Sequence, residues 1–263
     1  HPERVKGMVL DSPLQSTADL ALERTLIRDL FWHGTVPELA PVAEAVRSLV
    51  EAGADQRLLL DVLRAGYELG GAPLLHGLLV GRARVQGPTW AMLRAYGTRE
   101  AALSRYPGFY EFDLVGTIAF REMHYGPAPD GQPLDPALTY ALAADRFPAF
   151  AGEPFDLPAE VAGFEWPLVL LTGARDVRTP PPIAHRTAAA APDAVLINID
   201  NGHSCMESHP LALLHVVDRL TSGDPHTLEH EVALLNRLPR RGLAARLPEV
   251  LRATLVLETA LRP

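Results

Sequence analysis

Lysine is almost missing from these 263 residues: Lys6 stands alone among 24 basic side chains. We read the arginine excess as compositional bias rather than chemistry. Cysteine is as scarce. Cys205 has no second thiol to pair with, which excludes an internal disulfide and leaves the redox compartment undecided. No uninterrupted apolar run reaches the length of a membrane span. No basic stripe is present either, and 32 acidic residues give a net charge of −8, so a nucleic-acid partner, which needs clustered Lys or Arg, is excluded. A basic amphipathic face for a membrane surface is likewise lacking. The chain opens His1-Pro2-Glu3-Arg4 without a methionine or a signal-like segment, so it carries no information on location. What is present is ample apolar material. With 48% hydrophobic residues the chain can build a core in one or two domains, and it is not a disordered, collagen-like or disulfide-scaffold protein.

Three short apolar runs read as strands: Val5 to Asp11, Pro167 to Thr172, and Ala194 to Asp200. Each is continuous rather than alternating, the pattern of strands buried on both faces in a parallel sheet. Turn residues close each run: Asp11-Ser12-Pro13, Gly173, and Asn201-Gly202. Between the second and third, Thr179 to Pro192 reads as a helix with prolines suited to its first turn, giving a right-handed strand–helix–strand crossover. Ser208 to Leu220 reads as a further helix, with Leu211, Leu214, Val217 and Leu220 on one face.

Residues 16–159 have a different texture. Helical patterns at 16–31, 36–51, 55–69, 88–96 and 136–147 are separated by Gly and Pro, and no strand interrupts them. The first begins Ser16-Thr17-Ala18-Asp19, a capping-box-like start with Asp in place of Glu or Gln. The expected organisation is a core strand in 1–15, a helical insertion at 16–159, core strands and helices in 160–222, and a helical extension at 223–263. Val250, Leu251, Leu255, Leu257 and Leu261 give that extension an apolar face expected to pack on the body or on a second subunit.

In parallel α/β sheets reactive groups collect on loops at the carboxyl ends of strands. Two such loops carry suitable side chains: Gly173-Ala174-Arg175-Asp176 running to Thr179-Pro180, and Asp200-Asn201-Gly202-His203-Ser204. An acid on one loop and a histidine on the next is the order of a charge-stabilised general base. The carboxylate fixes the imidazole tautomer and stabilises the imidazolium formed when the ring takes a nucleophile's proton. Asp176 and His203 are therefore the candidate catalytic pair. Asp11, at the end of the first strand, is the rival acid; its bland alternative is an Asx-turn before Pro13. His226 and His230 stand at i and i+4 without an evident third ligand, so no metal is expected. Cys205, Ser204 and Ser208 lack the strand-to-helix context of a nucleophile and read as a buried thiol, a turn residue and a cap.

These segments resemble the carboxyl-terminal half of an α/β-hydrolase, in particular its helical-lidded peptidase and esterase branch. His1 to Asp11 is similar to the segment after that family's nucleophile helix, Gly173-Ala174-Arg175-Asp176 with Thr179-Pro180 to its acid loop, and Gly202-His203-Ser204 to its histidine loop. The resemblance covers residues 1–15 and 160–222, and the insertion by position only. It implies a partial α/β-hydrolase fold, the last strands of a parallel sheet interrupted by a large helical lid. It also implies serine-type acyl transfer to water without metal or organic cofactor, acting on a small molecule or short peptide. One departure is plain: the G-x-S-x-G elbow that carries the nucleophile occurs nowhere in these residues. The nucleophile and oxyanion hole are expected upstream, so the chain alone is expected to be inactive and poorly soluble.

Within that branch the lid and loops most resemble proline iminopeptidases and tripeptidyl-aminopeptidase-like enzymes. An aminopeptidase must hold a charged α-amine, for which a lid carboxylate is the natural partner. Glu122, in Phe120-Arg121-Glu122-Met123-His124-Tyr125, is the candidate, with Glu111 and Asp113 behind it; a solvated charged face is the alternative. A carboxylesterase for small esters and a non-catalytic binding protein are the competing functions.

Overall fold

The structure is a computed structural model that describes residues 1–14, 16–81, 87–99, 112–141 and 143–260, with the backbone alone at 112, 113, 243 and 244. It is a mixed α/β chain with a small parallel sheet. Three strands, β1 (Met8–Asp11), β2 (Leu168–Gly173) and β3 (Ala194–Ile199), lie in the order β1-β2-β3, all parallel. Met8 stands opposite Leu168, and Leu168 opposite Ala194, so the three strand ends that carry loops share one edge of the sheet.

The chain divides into two compact units. One comprises His1–Leu22 and Phe155–Glu249 and holds the sheet; the other comprises Glu23–Pro154 and Val250–Pro263 and is helical where described. The chain crosses between them at 22/23 and 154/155, where the sequence reading put 16 and 159. The expected 223–263 extension is split. Leu228 and Leu235 are buried among Val195, Ile197 and Val216 in the sheet unit. Leu251 is buried and Leu255 packs against Gly77 in the helical unit.

In the sheet unit every residue of β2 is buried, which explains its unbroken apolar run. Leu168 and Leu170 point to the face holding Val161 and Ala184. Val169 and Leu171 point to the opposite face, with Cys205, Ala212, Val216, Leu228 and Leu235. Each buried Val or Leu among them contributes about 1.5–3 kcal/mol. The crossover helix is Pro181–Ala190, opened by the prolines the sequence reading used, and the later helix is Pro210–Thr221. β1 is an edge strand among the described residues, and all four of its residues are only partly buried.

The helical unit follows its caps. Asp55 accepts the amides of Arg57 and Leu58 at 2.9 and 3.1 Å and starts the helix Gln56–Leu79. That helix runs ten residues past the expected end at 69, but as two pieces: Gly71 takes φ +66°, and Pro73 begins the second piece. The expected helix at 136–147 is cut to Ala137–Ala141 and a 3-10 turn at Ala144–Arg146. A helix the sequence reading lacked, Phe112–Glu122, stands before it. Its Phe120 is buried and stacks on Phe147 at 4.6 Å between ring centres. The unit also buries charge: Asp135, 1% exposed, accepts Arg24 Nε and Nη2, each at 3.0 Å, and Arg64 pairs with Glu23.

Candidate active site

The acid loop and the histidine loop are joined by their backbones before any side chain is considered. Ala174 N–H donates to Ile199 O at 2.8 Å and Arg175 N–H to Asn201 O at 2.9 Å, extending the β2–β3 ladder into both loops. The approach is so close that a Cβ on Gly173 would stand 1.8 Å from Gly202 O. Glycine at the end of β2 is thus a packing requirement rather than a turn signal.

On this frame Asp176 is 1% exposed and has both oxygens fully used. Oδ1 accepts the amides of Arg178 and Thr179, each at 2.9 Å. Oδ2 accepts the Thr179 hydroxyl at 2.7 Å and His203 Nδ1 at 3.0 Å. Burial alone would push this carboxyl up. The hydrogen bond and charge of His203, with the Thr179 contacts, outweigh it and hold Asp176 below the ordinary carboxylate value. An ionised carboxylate only accepts, so Nδ1 carries the ring hydrogen and Nε2 of the neutral imidazole is the basic nitrogen. The His203 side chain is 31% exposed, open enough on one side to exchange a proton while its partner is sealed. This arrangement can take a proton at Nε2 and stabilise the resulting imidazolium.

The histidine loop is held from two further directions. Asn201 Nδ2 donates to the carbonyls of His203 and Ser204 at 3.2 and 3.3 Å. Its Oδ1 accepts Arg240 Nη1 at 2.9 Å and the Ser208 hydroxyl at 2.8 Å. Arg175 pairs with Asp200, and that bond, with the charges of Arg175 and Arg240, holds the Asp200 carboxyl below its ordinary value against the effect of burial. Asp11 makes no Asx-turn toward Pro13 of the kind the sequence reading allowed. Its carboxylate accepts the Ser204 hydroxyl at 2.9 Å and the amides of Cys205 and Met206, each at 3.0 Å. The carboxylate on the ring nitrogen is Asp176's.

The nearby hydroxyls and thiol are committed elsewhere. Ser204 donates to Asp11 and Ser208 to Asn201. The Cys205 thiol is pushed up to about 12, first by burial and then by the Asp11 charge, so it stays protonated at neutral pH. Of the two histidines considered for metal, His226 has a partner of its own, its Nε2 lying 2.9 Å from Asp193. Among the described residues no cluster of His, Cys, Asp and Glu is arranged to hold a metal ion.

Glu122 ends the helix Phe112–Glu122 and is paired with Arg121, whose Nε donates to Oε1 at 3.0 Å. It lies in the helical unit, whereas Asp176 and His203 lie in the sheet unit. Glu111 and the side chain of Asp113 lie outside the described residues. Sequence reasoning placed Thr179 in the acid loop without giving its hydroxyl a role, and it missed the pair Asn201–Arg240. The Asp-x-x-Thr spacing could have signalled the first, since an Asp readily accepts the amide and hydroxyl three residues on. Nothing local could have brought Arg240 to Asn201. No family model, curated protein or solved structure matches the chain.

Proposed function

We propose that Asp176 and His203 are the acid and general base of a serine-type α/β-hydrolase, and that these residues form the later part of its sheet. The observation that carries the reading is the 3.0 Å bond from His203 Nδ1 to a buried Asp176 whose other lone pairs are filled. A purely structural histidine needs neither a sealed ionised partner nor an open second nitrogen. Two further features support it. The acid and histidine loops leave the carboxyl ends of adjacent parallel strands, as in open α/β sheets that carry sites there. And β1 presents a partly exposed apolar edge, as a strand does when its neighbour is contributed by other polypeptide.

In this reading a serine supplied from outside these 263 residues attacks the substrate carbonyl while His203 Nε2 takes its proton. Asp176 stabilises the imidazolium, and the same proton passes to the leaving group before water reverses the cycle. The resemblance of the loops favours an aminopeptidase of the proline iminopeptidase type. A carboxylesterase is the second reading, favoured by the fact that the proposed amine ligand, Glu122, is already engaged by Arg121.

One set of assays separates these. The 263-residue chain alone should not hydrolyse activated esters or aminoacyl arylamides. A polypeptide extended through a nucleophile segment should, and His203→Ala should lower its kcat by about 10⁴-fold. Turnover by the short chain, or full activity without His203, contradicts the proposal. Glu122→Gln should raise KM for aminoacyl substrates and spare neutral esters if the enzyme is an aminopeptidase; equal effects on both classes, or none, favour the esterase.

A further inference from the structure

We propose that Asp11 is a positioning residue for His203, holding the histidine loop from β1 so that the imidazole meets Asp176; this rests on the acid–base reading above. Asp11 is the last residue of β1, opposite Leu171, and the ladder continues beyond it through Ser12 N–H donating to Leu171 O at 3.0 Å. Its backbone is therefore fixed on both sides by the strand that also leads into the acid loop. From this base its two oxygens take the Ser204 hydroxyl and the amides of Cys205 and Met206, polar groups from each of the three residues that follow His203.

Those two amides belong to the first turn of the short helix Cys205–Ser208, whose leading N–H groups have no partner within the helix. A carboxylate satisfies them better than water and ties the turn to a different strand of the sheet. Asn201 grips the same loop through the carbonyls of His203 and Ser204. The loop is thus clamped by its carbonyls from one side and by its N–H and O–H groups from the other. A catalytic side chain must be held to within about 0.5 Å by such supports. On the N–H side, Asn236 Oδ1 accepts the Asp200 amide at 2.9 Å ahead of the histidine, and Asp11 takes the amides that follow it. This gives Asp11 a task that neither a rival catalytic acid nor a turn former would have.

The test uses the polypeptide extended through its nucleophile segment, with ¹⁵N-labelled histidine. The reporter is the low-field proton resonance of His203 Nδ1–H, which exists only while that hydrogen is shared with the carboxylate. Asp176→Asn is the control and should abolish it. Asp11→Ala should also abolish it, although Asp176 is intact, and should speed amide exchange at Cys205 and Met206. Asp11→Asn keeps one accepting oxygen and should weaken the signal; Ser204→Ala, which removes only the hydroxyl contact, should weaken it less. Should Asp11→Ala not fold, the last two variants decide. Faster exchange at the two amides with an unchanged Nδ1–H resonance would make Asp11 merely structural and overturn the proposal. A resonance indifferent to Asp176→Asn would instead remove the acid–base reading, and the positioning role with it.

Discussion

Both units bury a carboxylate against arginine, Asp19 against Arg186 in the sheet unit and Asp135 against Arg24 in the helical one, but Asp176 is neutralised differently. In the helical unit Asp135 is held by Arg24, and Glu23 by Arg64. Guanidinium is a permanent cation, so these pairs cannot exchange a proton near neutral pH; they fix helices and do no chemistry. In the sheet unit Asp176, buried to the same degree as Asp135, is given an imidazole. That partner can be neutral or charged, and the acid is sealed while the histidine is partly open. The contrast teaches that burial of an acid is not by itself a functional signal. What matters is whether its counter-charge can titrate and whether that counter-charge reaches solvent.

The comparison can be broken most forcibly in the helical unit. Asp135→Ala leaves Arg24 without its bidentate partner and frees the amides of Asp130 and Ala137, which the same carboxylate accepts at 2.6 and 3.0 Å. We expect a loss of about 3 kcal/mol, the lower end for breaking a buried pair because Arg24 is partly exposed. Denaturant unfolding would show this as a lowered midpoint, with the His203 Nδ1–H resonance unmoved. Loss of that resonance would mean that the two buried acids are not independent.

A smaller effect sharpens the picture of the sheet unit. His209 is fully buried, its Nε2–H donating to Leu235 O at 2.8 Å and its Nδ1 without a partner. Burial first, and the Arg240 charge second, hold it below the ordinary histidine value. A depressed histidine favours the neutral ring in the folded state. Its contribution is therefore complete above the unfolded value of about 6.5 and is lost as pH falls from there through the folded value. Asp176, also depressed, keeps its contribution down to about pH 4 and loses it only below. Unfolding midpoints measured between pH 7 and 5 should fall, and His209→Gln should flatten that fall. An unchanged slope in the variant would show that another group sets it.

Much of this was legible in the residues. The three strands show as continuous apolar runs because both faces of β2 are covered, and the acid and histidine loops follow from where those runs end. The capping start at Ser16 also reads through: Asp19 Oδ2 accepts the Ser16 amide at 3.1 Å, so the shorter acid closes the box that Glu usually closes. The helix Phe112–Glu122 does not show, because Gly116 lies in its middle beside the β-branched Val115, Thr117 and Ile118, all weak helix formers. The role of Asp11 is hidden for a different reason. Its local sequence, Asp-Ser-Pro, is turn-like, and only the alignment of β1 beside β2 and β3 brings its carboxylate to residues 204–206. Contacts across some 190 positions are set by topology, which local pattern does not contain.

The central claim is that Asp176 fixes His203 in the form whose outer nitrogen is the base. The ¹⁵N shifts of the His203 ring in the neutral folded chain test it directly. The account predicts that Nδ1 carries the hydrogen and Nε2 is bare. A ring protonated at Nε2 with a bare Nδ1 would contradict it, since that nitrogen could neither donate to Asp176 nor leave a base for a nucleophile.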